Sequence, residues 1–258
     1  MESYVYDAPY HFNQIVVVGL GGTGSQVARC LARLLYHHQQ KRQHIPNVLF
    51  VDPDVIEAHN VGRQMFTPAD VGQPKAAVLA RRFNMALGLQ IAACCEAVDS
   101  RKHLPHGSLV CGCVDNHLAR AEIARGSGFV WVDTGNGYDF GQVVVGDCGD
   151  AEQVRKGLRQ AQNKRCRYLP HAGLLFPSLL QPEPEVPDEP VLSCGELVMR
   201  DEQHVFVNDF VATIAAQYLY RLLNREPLTT FATFLTLTPA PNVKSLSITS
   251  EELETYLR

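Results

Sequence analysis

The sequence is short of positive charge and has no long apolar run. Its 23 lysines and arginines are outnumbered by 27 aspartates and glutamates, which gives a net charge of -4. A basic patch is the usual mark of a nucleic-acid-binding domain, so nucleic acid is not expected as a partner. No stretch reaches the roughly 18 apolar residues that cross a bilayer, so no membrane association is expected. The N-terminus also lacks the features of a signal peptide, and a cytoplasmic location is expected.

The eight cysteines do not include a C-x-x-C pair. Structural zinc sites made of thiolates usually draw their ligands from two such pairs, so no zinc is expected. In a cytoplasmic protein most of these thiols should be reduced, and those inside apolar segments should be buried.

Apolar runs alternate with helical patterns over the first part of the chain. Such an alternation predicts an α/β fold with a doubly wound, mostly parallel, Rossmann-like sheet. Strands that are buried on both faces are predicted at 13–18, 48–51, 89–97, 108–114 and 128–132. Helices are predicted at 23–39, 74–87 and 117–125.

The pattern changes after about residue 138. A strand at 139–146 is reached by a turn and is predicted to be antiparallel. Proline recurs throughout residues 181–190, which predicts a mobile crossover loop. Further elements are predicted as helices at 151–164 and 202–223, strands at 230–238 and 243–248, and a last helix that begins near Thr249.

A glycine-rich turn follows the first predicted strand. Gly19, Gly21, Gly22 and Gly24 lie between that strand and a helix, where backbone N–H groups and the helix dipole can approach phosphate oxygens. Asp52 follows the second strand, and its carboxylate can accept hydrogen bonds from ribose hydroxyls. Nicotinamide and flavin enzymes share both features, so they predict a nucleotide without identifying it.

The residues that discriminate between nucleotides lie downstream. Arg63 and Lys75 provide two cations near the turn, which suits a triphosphate better than a dinucleotide. Asp115 follows the fourth strand, where its carboxylate could hold Mg²⁺ directly or through water. Taken singly, Arg63 is also compatible with a surface ion pair and Lys75 with a solvated helix position. In this order and spacing, the set favours ATP with Mg²⁺.

The segments around these residues resemble the ThiF/MoeB superfamily, the activating enzymes for ubiquitin-like and sulfur-carrier proteins. The resemblance rests on residues 51–64 and 71–75, and on Asp115 and Asn116 followed by Arg120. A second set of segments resembles bacterial ThiF-like proteins encoded in PRTRC-type or ubiquitin-like conjugation operons, at residues 133–136, 141–143 and 193–196.

The resemblance implies an adenylation reaction. In it, the C-terminal glycine carboxylate of a small β-grasp protein attacks the α-phosphate of ATP, and pyrophosphate leaves. The resemblance assigns the ribose to Asp52, the phosphates to Arg63 and Lys75, and Mg²⁺ to Asp115. The remaining residues expected to bind the nucleotide are Asp54, Asn60, Gln64 and Asn116.

The resemblance also implies partners and a domain organisation. Members of the superfamily usually form homodimers, so a homodimer is expected, and a conjugating enzyme is a candidate further partner. Many members supply an arginine from the second protomer. Residues 1–12 contain no arginine, so either another arginine serves or that element is absent. One adenylation domain is expected over 1–258. Its parts are an ATP-binding core at 13–146, a cysteine-bearing crossover segment at 150–200, and a long helix with the last strands at 201–258.

Two cysteines beside the proline-rich segment are candidates to accept the activated protein as a thioester. Cys194 precedes a predicted helix N-terminus, and Cys166 lies among Lys164, Arg165 and Arg167. Both settings would lower the pKa of the thiol. Cys194 is favoured because its Ser-Cys context resembles that of the bacterial subgroup, and it joins Arg63, Lys75 and Asp115 as an expected catalytic residue.

Two other functions stay open on the sequence alone. An NAD(P)-binding oxidoreductase would use the glycine-rich turn and Asp52, but it leaves Arg63, Lys75 and Asp115 without a role. A nucleotide-binding partner subunit without catalytic activity would keep the same residues and lack transfer chemistry.

Overall fold

The computed structural model describes residues 2–182 and 204–257, and the structural statements below concern these residues. The strands are β1 (Val5–Tyr6), β2 (Gln14–Val18), β3 (Asn47–Val51), β4 (Ile91–Cys94), β5 (Ser108–Gly112), β6 (Val130–Asn136), β7 (Phe140–Gly146), β8 (Arg165–Cys166), β9 (Thr230–Thr236) and β10 (Asn242–Ser247). The α-helices are α1 (Gly22–Gln40), α2 (Lys75–Leu87), α3 (Ser100–His103), α4 (His117–Arg125), α5 (Ala151–Arg159), α6 (Ala172–Leu175), α7 (Val207–Leu223) and α8 (Ser250–Tyr256). Short 3-10 helices cover Ala58–Asn60, Pro68–Asp70 and Pro177–Leu180.

An eight-stranded sheet with the order β10-β9-β7-β6-β5-β2-β3-β4 forms the centre of the fold. The five neighbouring strands β4, β3, β2, β5 and β6 pair in parallel. Beyond β6, the strands β7, β9 and β10 pair antiparallel. The predicted α/β fold, with a mostly parallel sheet and antiparallel C-terminal strands, is thereby confirmed. After β2 the chain adds β3 and β4 on one side of β2. It later returns to add β5 and β6 on the other side. Open α/β sheets bind their ligands where the strand order reverses in this way.

The middle of the sheet is covered on both faces. Residues Ile15 to Val18 of β2 are all buried, and successive strand residues point to opposite faces. On one side α1 packs along α7, and α7 also contacts β6 and β7. None of the helices in the described part of the chain is both long and apolar enough to cross a membrane.

Some elements end elsewhere than the sequence predicts. Helix α5 stops at Arg159, short of residue 164, and Asn163 and Lys164 have φ angles of 51° and 59°, outside the helical region. Strand β5 stops at Gly112, so Asp115 lies in a loop. Strand β6 extends to Asn136, because its last residues pair with β7 in a hairpin. Most of the proline-rich segment lies outside the described residues.

Candidate functional site

The glycine-rich turn joins β2 to α1 without room for side chains. Gly19 has a φ of 83°, in the region that favours glycine, and a Cβ there would lie 2.6 Å from the carbonyl oxygen of Cys113. A Cβ on Gly24 would collide with the carbonyl oxygen of Gly19. Helix α1 begins at Gly22, and the first N–H groups of a helix have no partner inside it. The turn can therefore present several N–H donors to an anion.

Asp52 is buried directly beside this turn, with 3% of its surface exposed. Its Oδ2 accepts a hydrogen bond from the Leu20 N–H at 2.5 Å, and its Oδ1 accepts one from the Asp54 N–H at 2.8 Å. Burial raises the pKa of the carboxyl, while the two backbone donors and the nearby Lys75 act against that rise. The side chain thus ties the end of β3 to the turn after β2.

Lys75 is the first residue of α2, and it is buried although it is charged. Its Nζ lies 2.9 Å from Oδ2 of Asp54, and its backbone N–H donates to the Asp54 carbonyl oxygen at 3.0 Å. The Asp54 side chain is 63% exposed, so this ion pair reaches solvent on the carboxylate side. The alternative that Lys75 is a solvated helix residue is wrong.

The 3-10 helix Ala58–Asn60 and the polar turn after it contain three of the expected nucleotide-binding residues. Asn60 is buried, and its Oδ1 accepts a hydrogen bond from the Glu57 N–H at 2.9 Å, which stabilises the turn. Gln64 borders the glycine-rich turn, because its Nε2 would lie 3.9 Å from a Cβ on Gly21. The Oε1 atom of Gln64 is buried and has no hydrogen-bond partner among the described residues. Arg63 is half-buried between them.

Asp115 and Asn116 lie at the same edge of the sheet in a more open setting. In the sheet, Val18 pairs with Val51 on one side and with Gly112 on the other, so the loops after β2, β3 and β5 leave the sheet together. Both side chains are exposed. The Oδ1 of Asn116 accepts a hydrogen bond from the Ala119 N–H at 2.9 Å and caps α4. The exposed carboxylate of Asp115 suits the preference of Mg²⁺ for oxygen ligands and bound water.

Sequence reasoning missed Asn208, which α7 brings to the glycine-rich turn. Its Oδ1 accepts hydrogen bonds from Oγ1 of Thr23 at 2.7 Å and from Nδ2 of Asn136 at 2.5 Å. The Nδ2 of Asn136 also donates to Oγ1 of Thr23 at 2.9 Å. The signal available in the sequence was weak: one amide side chain near the start of a helix that also carries other polar residues.

A buried ion pair connects α4 to the sheet. Asp133 of β6 is fully buried, and the Nε of Arg120 lies 3.5 Å from its Oδ1. The Nη2 of Arg120 donates to the Thr134 carbonyl oxygen at 3.2 Å. Burial raises the pKa of Asp133 to about 6, although Arg120 acts in the opposite direction. Because α4 begins two residues after Asp115, this pair also anchors the loop that carries Asp115.

The two candidate cysteines have different outcomes. Cys166 is buried, and its Sγ donates to the Val5 carbonyl oxygen at 3.4 Å. Burial raises the pKa of its thiol to about 12. The expectation that the flanking lysine and arginines lower this pKa is wrong, because β8 pairs with β1 and the thiol is covered. Cys194 lies outside the described residues.

One group of potential metal ligands occurs in the described part of the chain, formed by Cys94, Glu96 and His103. The Sγ of Cys94 lies 3.5 Å from Nε2 of His103, whose Nδ1 accepts a hydrogen bond from the Asp99 N–H at 3.0 Å. With Nδ1 as acceptor, the proton of the neutral ring sits on Nε2, the atom that a metal would need. The arrangement therefore favours an N–H···S hydrogen bond over a zinc site.

Comparisons with known proteins agree with this fold. The ThiF family model matches residues 11–254. Similar solved structures include E. coli MccB with MccA-N7isoASN (TM-score 0.59, 15% identity), E. coli MccB with ATP (0.57, 16%) and PaaA (0.56, 12%). Each alignment covers 92% of this chain and 64% of the other, so the chain spans less than two thirds of these proteins. None of the curated proteins matches the chain significantly.

Proposed function

The chain belongs to the ThiF family, and from this we propose that it uses ATP and Mg²⁺ to adenylate a carboxylate. The proposed substrate is the C-terminal glycine of a small ubiquitin-like protein with a β-grasp fold. The observation that carries the proposal is the buried Lys75 beside Asp52, held by Asp54 at 2.9 Å. A fixed cation at this edge suits a triphosphate. MccB, which shares the fold, has been solved with ATP, and this supports the choice of nucleotide.

Each part of the site is assigned one part of ATP. The carboxylate of Asp52 uses one acceptor position on each oxygen for backbone N–H groups, and the others are left for ribose hydroxyls. The phosphates would lie on the glycine-rich turn and the N-terminus of α1. Lys75 and Arg63 would offset their negative charge, while Asn60 and Gln64 border them.

In the proposed reaction, an oxygen of the substrate carboxylate forms a bond to the α-phosphorus while the bond from that phosphorus to pyrophosphate breaks. No proton needs to move, because the attacking group and the leaving group are both anions. The chain therefore contributes mainly by positioning and by electrostatic stabilisation. Asp115, with Asn116 next to it, would hold Mg²⁺, which supplies further positive charge to the phosphates when it is bound.

Transfer to a cysteine is the finer part of the proposal. The thiolate of Cys194 would attack the acyl carbon of the adenylate, and AMP would leave as the thioester forms. We expect an adduct with the carrier protein that reducing agent cleaves and that Cys194→Ala abolishes. Cys95→Ala, at an exposed cysteine, is the matched control. An adduct of normal yield on Cys194→Ala would contradict this assignment.

The experiment that tests the adenylation itself is ATP–pyrophosphate exchange. We expect exchange that requires Mg²⁺ and a β-grasp protein ending in glycine, such as one encoded by a neighbouring gene. We also expect ATP with Mg²⁺ to raise the melting temperature more than NAD⁺ does. Stabilisation by NAD⁺ alone would indicate an oxidoreductase, and stabilisation by ATP without exchange would indicate a non-catalytic partner subunit. We also propose that the protein forms a homodimer, which light scattering tests.

A further inference from the structure

Three polar side chains from distant parts of the chain form a closed network behind the glycine-rich turn. Thr23 belongs to the first turn of α1, Asn136 ends β6, and Asn208 lies in the first turn of α7. Asn208 is 6% exposed, and its Oδ1 is the shared acceptor of the network. Buried polar groups that lose a partner are costly, so each of the three side chains restrains the other two.

The amide of Asn208 also occupies the space next to Gly22. A Cβ on Gly22 would lie 2.8 Å from Nδ2 of Asn208 and 3.0 Å from its Cγ. The neighbouring Gly21 is less crowded, since Nε2 of Gln64 would lie 3.9 Å from a Cβ there. The backbone that is proposed to receive the phosphates is therefore contacted most closely by the amide of Asn208.

Asn208 is itself fixed by parts of the molecule that lie outside the proposed nucleotide site. Arg29 of α1 and Asp209 of α7 form an ion pair at 3.8 Å. Val211 packs so closely on Gly141 of β7 that no Cβ would fit there. The position of α7 against the sheet thus determines where the Asn208 amide meets the turn.

We propose that Asn208 is a positioning residue that holds residues 21–23 in the conformation that binds the nucleotide phosphates. It acts through the Thr23 hydroxyl and through contact with Gly22. That the ligand is ATP rests on the proposed function. The role of Asn208 in positioning the turn is an addition to that function.

The test compares three variants of the full-length protein. Asn208→Ala removes the shared acceptor, and Thr23→Val removes one hydroxyl at nearly constant volume. Asn84→Ala is the matched control. The Asn84 amide makes two hydrogen bonds to the backbone of Ile91, the first residue of the outermost strand β4, away from the glycine-rich turn. Backbone hydrogen exchange of residues 19–26 is measured without nucleotide, and the Kd for ATP with Mg²⁺ is measured by calorimetry.

We expect Asn208→Ala to speed the exchange of the turn and to raise the Kd, each by about three- to tenfold, as the loss of a hydrogen bond would do. Thr23→Val should change both in the same direction, and the double variant should change them by less than the product of the single changes. Asn84→Ala should lower the melting temperature but change neither quantity.

If residues 19–26 exchange backbone hydrogens at the wild-type rate in both Asn208→Ala and Thr23→Val, the inference is overturned. This holds even if both variants have a lower melting temperature. Failure of the wild-type protein to bind ATP would contradict the proposed function only. The exchange of the turn is measured without ligand and decides the role of Asn208 by itself.

Discussion

The two sides of the proposed nucleotide site are built differently. One side, called the ribose side below, is formed by Asp52 and by the Lys75–Asp54 pair that borders the phosphates. Its two buried charged groups both have partners: Asp52 accepts hydrogen bonds from two backbone N–H groups, and Lys75 donates one to the exposed carboxylate of Asp54. The metal side, formed by Asp115 and Asn116, is exposed and lies in a loop beyond β5. A buried, hydrogen-bonded side is organised before the ligand arrives. An exposed carboxylate can instead bind an ion that keeps most of its water.

The difference separates two kinds of contribution to function. On the ribose side, the backbone hydrogen bonds of Asp52 stabilise the fold and also shape the binding site, so the loss of this carboxylate should affect both stability and activity. On the metal side, little of the fold depends on the side chain that is expected to act. Each prediction below tests whether stability and activity divide in this way.

The largest effect is expected for Asp52→Ala. The change leaves the N–H groups of Leu20 and Asp54 without their acceptors. The loss costs about 1–3 kcal/mol for the buried N–H of Leu20 and less for that of Asp54, which is an exposed residue. We expect a lower free energy of unfolding in urea and loss of ATP binding in calorimetry. Asp99→Ala is the control, because Asp99 also accepts two backbone N–H bonds, at the exposed start of α3. Wild-type stability of Asp52→Ala would show that the ribose side is not organised by this carboxylate.

Lys75→Met should reduce activity more than stability. The apolar part of the side chain is kept, and Asp54, which loses its partner, is exposed enough to be solvated. Removal of a cation from the phosphate region should lower pyrophosphate exchange by about 100-fold. Lys102→Met, which removes an exposed lysine paired with Asp99 at 3.9 Å, should leave exchange unchanged. A pyrophosphate exchange rate of Lys75→Met within a factor of two of the wild-type rate would show that Lys75 does not belong to the site.

Asp115→Asn should affect activity alone. The side chain is exposed, so the free energy of unfolding should change by less than about 0.5 kcal/mol. We expect pyrophosphate exchange to need a higher Mg²⁺ concentration and to fall by roughly tenfold at a fixed concentration. Glu152→Gln, at another exposed carboxylate, serves as the control. An unchanged Mg²⁺ requirement would place the metal elsewhere.

Local sequence patterns were enough to predict where Asp52 and Lys75 lie in the fold. Asp52 ends an apolar run, and Lys75 follows the proline that precedes α2, so both positions follow from neighbouring residues. Asn208 could not be predicted in this way, because it bonds to Thr23 across 185 positions. The burial of Cys166 was missed for the same reason. The charges beside it in the sequence are local, but β1, which covers it, is 161 positions away.

The smallest expected effect is a pH dependence of stability that comes from the ion pair behind the metal side. Burial raises the pKa of Asp133 to about 6, above its usual value of 3.8. Between these values the folded protein holds a proton that the unfolded chain has lost, so this group lowers stability as pH rises from about 4 to about 6. The slope is at most about 1.4 kcal/mol per pH unit for one group.

Asp147 offers a matched comparison for this last effect. Burial raises the pKa of Asp147 to about 6 as well, but in the described part of the chain its carboxylate accepts hydrogen bonds from Tyr6 and the Leu169 backbone and not from α4. Asp133→Asn and Asp147→Asn should each make the change of unfolding free energy between pH 4 and pH 6 less negative than in the wild type. Of the two variants, only Asp133→Asn should also raise the Mg²⁺ concentration that pyrophosphate exchange requires. The reason is that Asp133 pairs with Arg120 of α4, which follows the loop of Asp115. The same requirement in both variants would mean that the metal side is independent of the buried pair behind it.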